Sequence, residues 1–190
     1  MALLTVQEAR LLFIISLGFL AAVLIFARPQ SPYTLHVRPG SGVDNAIEVG
    51  ARTVFGMEVM ATQVSDEIVT DQDTLDIMVA WRNVTQRPFS RNYQVSVFLQ
   101  RPNSDSRWLY VEPVTPGGLP TRRWPVGGYV RTDFSLKIPP SIPVGEYRVG
   151  VEVYDCTTRC TLSQRISFTD ANGVAVGSTL LLPPVVTIQR

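Results

Sequence analysis

The chain has 190 residues, 17 Lys+Arg against 16 Asp+Glu, and a formal net charge of +1. That length holds one ordinary domain with an appendage, or a single large β-domain, and an apolar share of 45% excludes wholesale disorder. Near-neutral charge argues against a nucleic-acid binder that works by neutralising phosphates, and Lys137 is the only lysine, every other cationic side chain of the pair being arginine.

The first element is apolar. Leu11–Ala27 reads LLFIISLGFLAAVLIFA, without a charge. At about 1.5 Å per helical residue it spans roughly 26 Å, close to a hydrocarbon core of about 30 Å. Arg10 and Arg28 flank it and can snorkel outward, and Pro29 ends it. A cleaved signal peptide is the alternative. Its apolar region usually has about 7–15 residues, and Arg28-Pro29 makes a poor cleavage junction. The reading is a single transmembrane anchor over residues 1–28, in contact with the lipid bilayer. Gly18 and Ala22 lie four apart, with Ala21 beside them, on a face that would let another transmembrane helix pack closely; ordinary lipid-facing residues would read the same way.

Residues 29–45 carry Pro29, Pro32, Pro39, Gly40 and Gly42 with little periodicity, which predicts a linker or extended arm. His36, the only histidine, falls there. From about residue 46 the period becomes two. Leu75, Ile77, Val79 and Trp81 alternate with Asp76, Met78, Ala80 and Arg82. Tyr93–Leu99, Val130–Ile138 and Tyr147–Val153 do the same, and four such runs predict strands with one buried face. Further strands are predicted near Thr53–Ala61, Arg107–Glu112, Gln164–Thr169 and Val185–Gln189, separated by Pro- and Gly-rich turns. The expected fold is all-β: an immunoglobulin-like antiparallel β-sandwich over residues 46–190, behind the anchor and linker, with Trp81 in its core.

Cys156 and Cys160 flank a three-residue turn in YDCTTRCTL, a spacing that can bring their Cα atoms within disulfide range. Free thiols are the alternative. A bridge would place the domain in an oxidising compartment, periplasmic or extracellular. The basic residues near the anchor, Arg10 before it and Arg28 and Arg38 after it, do not by themselves favour that orientation.

The runs VFGMEVM, LDIMVAWRNV, NYQVSVFLQ and LPTRRWPVGGYVRTDFSLKIPPSIPVGEYRVGVEVYD resemble a β-sandwich module at the C-termini of bacterial membrane glycosyltransferases and other envelope proteins. The matching positions are Trp81, Tyr93, Trp124-Pro125-Val126-Gly127, Pro143-Val144-Gly145-Glu146-Tyr147 and Tyr154-Asp155. The resemblance covers roughly residues 54–190 and implies a sandwich, while such sandwiches host many roles. Here a single anchor precedes it, and the turn after Tyr154-Asp155 carries a cysteine pair where the module's is usually cysteine-free. In size and layout the chain also resembles the small subunit of unassigned role in the quinol-oxidising alternative complex III.

No reactive set stands out. There is no G-x-S-x-G, no C-x-x-C-H and no G-K-[ST] phosphate loop. The run Ser65–Asp76 has five carboxylates and no cation but lacks the glycine and glutamate of a calcium-binding EF-hand loop, so it reads as a solvated loop between strands. Asn83-Val84-Thr85 matches a glycosylation acceptor pattern. Arg107, Trp108, Tyr110, Arg122, Arg123 and Trp124, with Arg87, Arg91 and Arg101 nearby in sequence, combine arginine with aromatics, as protein interfaces and sugar or anionic sites do. The expectation is a non-catalytic accessory subunit without cofactor or metal. Its partners would be other membrane-complex subunits, met through the helix and a sandwich face. The alternative is a membrane-tethered module that binds glycans or the cell envelope, which requires Trp108 or Trp124 to be exposed.

Overall fold

The computed structural model describes residues 46–190 except 103, 157 and 158. The predicted anchor, with Gly18 and Ala22, the linker and His36 lie outside the described residues. Among the described residues no helix is long and apolar enough to cross a membrane, and the strands form two sheets.

The first sheet contains β1 (Ile47–Thr53), β2 (Met57–Val64), β4 (Thr74–Asn83), β7 (Tyr129–Lys137), β9 (Phe168–Thr169) and β10 (Ala175–Gly177), ordered β10-β9-β1-β2-β4-β7. The second contains β3 (Ile68–Thr70), β5 (Gln94–Gln100), β6 (Arg107–Trp108), β8 (Gly145–Tyr154) and β11 (Leu180–Gln189), ordered β3-β11-β8-β5-β6. All neighbours are antiparallel except β3 and β11, which pair in parallel. The inward residues of both sheets form one apolar cluster. Leu75, Ile77, Val79 and Trp81 of β4 and Val130, Phe134 and Leu136 of β7 belong to it. So do Val95, Val97 and Leu99 of β5 and Tyr147, Val149, Val151 and Val153 of β8. The molecule is an all-β sandwich, and Trp81 is fully buried, its indole N–H donating to Thr132 Oγ1 at 3.1 Å. A buried aromatic needs such an acceptor for its polar end.

Strand β7 follows the predicted alternation closely, with Val130, Thr132, Phe134 and Leu136 buried and Arg131, Asp133, Ser135 and Lys137 exposed. Strands β5 and β8 depart from it. Ser96, Phe98, Gly150, Glu152 and Tyr154, on the face predicted to meet solvent, are buried as well. Across the strands Ser96 faces Glu152 and Phe98 faces Gly150. A Cβ added at Gly150 would come within 2.3 Å of the Phe98 ring, so glycine is what lets that ring lie flat against β8.

Other differences have local causes. The predicted strand at Thr53–Ala61 is a hairpin instead. Gly56, at φ 88°, turns the chain, and Thr53 Oγ1 accepts from the Met57 N–H at 3.0 Å. The predicted strand at Arg107–Glu112 is regular only over Arg107–Trp108, because Leu109 sits at φ 51° and breaks the ladder; beyond it the Val111 N–H donates to the Val97 carbonyl at 2.9 Å. At Gln164–Thr169, a short 3-10 turn, Leu162–Gln164, comes before β9. Strand β11 begins five residues before Val185 and runs through Pro183 and Pro184 with a shift in register. Proline lacks the N–H a ladder needs, and the Arg148 guanidinium donates to the Leu181 and Leu182 carbonyls beside that shift. The acidic run is not wholly solvated either: Ile68–Thr70 forms β3, and Val69 is in the core.

Candidate functional site

One end of the sandwich gathers the β1–β2 turn, the β4–β5 loop (residues 84–93), the segment 119–128 before β7 and, after β8, residues 155, 156 and 159–164. Side chains to which the sequence assigns no structural role hold these loops together. Asn83 is fully buried, and its Oδ1 accepts from the Thr85 N–H at 3.0 Å and the Thr85 hydroxyl at 2.7 Å, while its amide donates to the Arg87 carbonyl at 3.3 Å. This is an Asx-type turn that shapes the start of the β4–β5 loop. It also consumes the carboxamide that the glycosylation pattern would need. Buried Thr121 accepts from the Tyr93 N–H at 2.9 Å and donates to the Arg91 carbonyl at 3.0 Å, stapling two loops together. The Arg122 N–H reaches Asn92 Oδ1 at 3.3 Å. Cys156 and Cys160 are bonded, with Cα atoms 5.4 Å apart, closing the loop after β8.

Beneath the loops lies an aromatic base. Phe55 stacks on Tyr93 with ring centroids 3.9 Å apart, and Phe89 meets both rings edge-on. Burial raises the pKa of the Tyr93 phenol, with Asp155 adding to the shift and Arg91 opposing it.

Arg87, Arg91, Arg122, Arg123 and Arg159 project from this base, all exposed. Across residues 84–93, 119–128 and 155–164 the only carboxylate is Asp155, which pairs with Arg91 at 2.6 Å. Arg91, Arg122 and Arg159 rim an open cleft of about 460 Å³ whose floor includes Ser90, Asn92 and Cys156. A second hollow, of about 530 Å³, lies on the other side of the same loop between Phe55, Arg87 and Phe89. Guanidinium groups so placed offer forked donors to carboxylate or phosphate oxygens.

The outer face of β5 and β8 holds arginine in a different setting. Glu152 is fully buried, and its two oxygens accept from five donors. Arg107 approaches both oxygens, at 2.5 and 2.9 Å, Arg165 at 2.6 Å, the Thr179 hydroxyl at 2.8 Å and the Tyr154 hydroxyl at 2.5 Å. Arg107 also lies over the Phe98 ring, 4.6 Å from its centroid. Burial, then the bonds to Glu152 and Tyr110, push the Tyr154 phenol far above its ordinary pKa. This cluster ties β6, the turn at Leu162–Gln164 and the approach to β11 onto β8.

The six aromatic and arginine residues singled out from the sequence are therefore divided. Arg107 and Tyr110 belong to the outer face, where Arg107 is committed to Glu152 and Tyr110 meets the Tyr154 hydroxyl at 3.3 Å, while Trp108 turns to the core side. Arg122, Arg123 and Trp124 belong to the loop end. Trp124 is fully buried and donates to the Leu119 carbonyl at 3.0 Å, so its ring is closed to any ligand. Trp108 is half-buried against the core. Neither indole is the open stacking platform that glycan binding requires. In the acidic run, Asp73 accepts from the backbone N–H and hydroxyl of Thr70, each at 2.7 Å, and these bonds, the backbone one foremost, lower its pKa. Asp76 accepts from Ser135 at 2.6 Å. Among the described residues no group of three or more His, Cys, Asp or Glu is placed to hold a metal ion.

No family model matches the chain, and no curated protein sequence matches it. Several solved structures are similar in outline. The C-terminal domain of Wzt matches at 9% identity and a TM-score of 0.46, covering 82% of this chain and 84% of that one. The CARDB domain of a Pyrococcus furiosus protein, solved in complex with di-metal ions, matches at 13% identity and a TM-score of 0.37, covering 73% and 92%. The Pseudomonas fluorescens alkylpurine DNA glycosylase AlkC, bound to DNA with an abasic-site analogue, matches at 9% and 0.40, covering 76% of this chain and 32% of that one. Likenesses this distant carry no residue role across to this chain.

Proposed function

We propose that the chain is a non-catalytic contact module: an extracytoplasmic sandwich, tethered by the apolar segment Leu11–Ala27, that serves as an accessory subunit of a membrane complex. The observation that carries this reading is the loop end, where five exposed arginines meet one carboxylate on a braced aromatic base. Binding sites are commonly loops held by a rigid scaffold. An immunoglobulin-like arrangement fits the strand order, since β2-β4-β7 opposite β11-β8-β5 follows the A-B-E and G-F-C order of that fold. On that correspondence the arginine loops occupy the B–C and F–G positions, the end that antibodies use for recognition. The bond between Cys156 and Cys160 supports an oxidising compartment.

Affinity purification of the full chain from detergent-solubilised membranes tests the reading. Stoichiometric partner subunits are expected, and a clean monomer would overturn it. The assembly suggested by size and layout is the quinol-oxidising alternative complex III, and quinol oxidation by the co-purified material checks that assignment.

A further inference from the structure

We infer that the loop end binds an acidic polypeptide segment of a partner protein, one that carries carboxylates beside apolar side chains. The inference rests on the contact-module reading above and names the chemistry of its partner.

Charge is the first argument. Arg122 and Arg159 have no carboxylate partner among the described residues, and Arg91 has only Asp155. The whole chain is nearly neutral, so this cationic excess is local to the loops. Such an excess steers an oppositely charged partner and sets its register. Apolar surface is the second argument. Val54 is 71% exposed and Val126 50%, both in the same set of loops, so the surface offers apolar contact beside its cations. A polypeptide supplies both kinds of group.

Another polyanion fits less well. A polysaccharide would gain from an exposed aromatic face, but Trp124, Phe89 and Tyr93 are all buried.

The test uses the full chain in detergent micelles and fluorescein-labelled poly-L-glutamate, with binding read by fluorescence anisotropy. Binding is expected to weaken steeply with added salt, because exposed charges are screened. The double variant Arg122→Gln/Arg159→Gln is expected to weaken it about tenfold, with the melting temperature unchanged. Arg131→Gln, on the exposed face of β7, should leave it unaltered. Absence of binding, or binding indifferent to Arg122 and Arg159, overturns the proposal. So does tighter binding of polygalacturonate. Co-purification separates this failure from failure of the broader reading: partners retained by the double variant would mean that assembly uses another surface.

Discussion

The loop end and the outer face of β8 both present arginine beside aromatic rings, and they use it in opposite ways. On the outer face Arg107 and Arg165 converge on Glu152, a carboxylate removed from water. At the loop end Arg122, Arg123 and Arg159 have no such acceptor and face solvent. The same side chain is a brace in one place and an open donor in the other. What separates them is the position of a single glutamate on the covered face of a strand.

The largest expected effect breaks the brace. Glu152→Ala strands two half-buried guanidinium groups and should cost about 3–5 kcal/mol, the range for removing one partner of a buried pair. Urea unfolding followed by tryptophan fluorescence measures it, and a loss below about 1 kcal/mol would show the cluster to be solvated. Next comes the covalent brace of the loop end. Cys156→Ser/Cys160→Ser opens a loop of sequence separation 4 and should lower stability by on the order of 2 kcal/mol, read the same way.

A third experiment compares the two regions through their tyrosines. Tyr154 by the brace and Tyr93 under the loops both have raised phenol pKa values, with burial the leading cause in each. A raised folded-state pKa means that the protonated phenol is favoured by folding. Its contribution is complete below the unfolded value of about 10 and is lost as pH climbs beyond it. Unfolding midpoints should therefore fall above pH 10. Tyr154→Phe should flatten most of that slope, at the cost of the hydroxyl's bonds to Glu152 and Tyr110, about 1.5–3 kcal/mol at neutral pH. The smallest effect on stability is at the loop end itself: Arg122→Ala should change unfolding free energy by less than about 0.5 kcal/mol, as exposed substitutions usually do. A larger loss would mean that Arg122 is structural like Arg107.

Much of this architecture was legible beforehand. The alternation at Leu75–Trp81 and Val130–Ile138 marks the inward faces of β4 and β7, and Cys156 and Cys160 were readable as a pair from their spacing. The features that the pattern does not show have physical reasons. Pro183 and Pro184 disguise the first half of β11, because tolerance for missing N–H groups depends on Arg148 reaching the neighbouring carbonyls. Thr121 looks like an ordinary polar residue, and Asn83 like the head of a glycosylation pattern, until the loops they staple are brought together. Trp124 looked like a ligand-binding aromatic because an indole in a Pro- and Gly-rich turn has no local signal of burial.

Period-two patterning is a property of neighbouring residues, so sequence by itself determined that residues 46–190 are built of strands and which side chains of β4, β5, β7 and β8 turn to the core. Whether the second face of a strand meets water depends on segments far away in the chain, here the stretches around Arg107, Arg165 and Thr179. Only the tertiary structure could decide that Glu152 is buried, and hence which arginines are paired to it and which stay exposed.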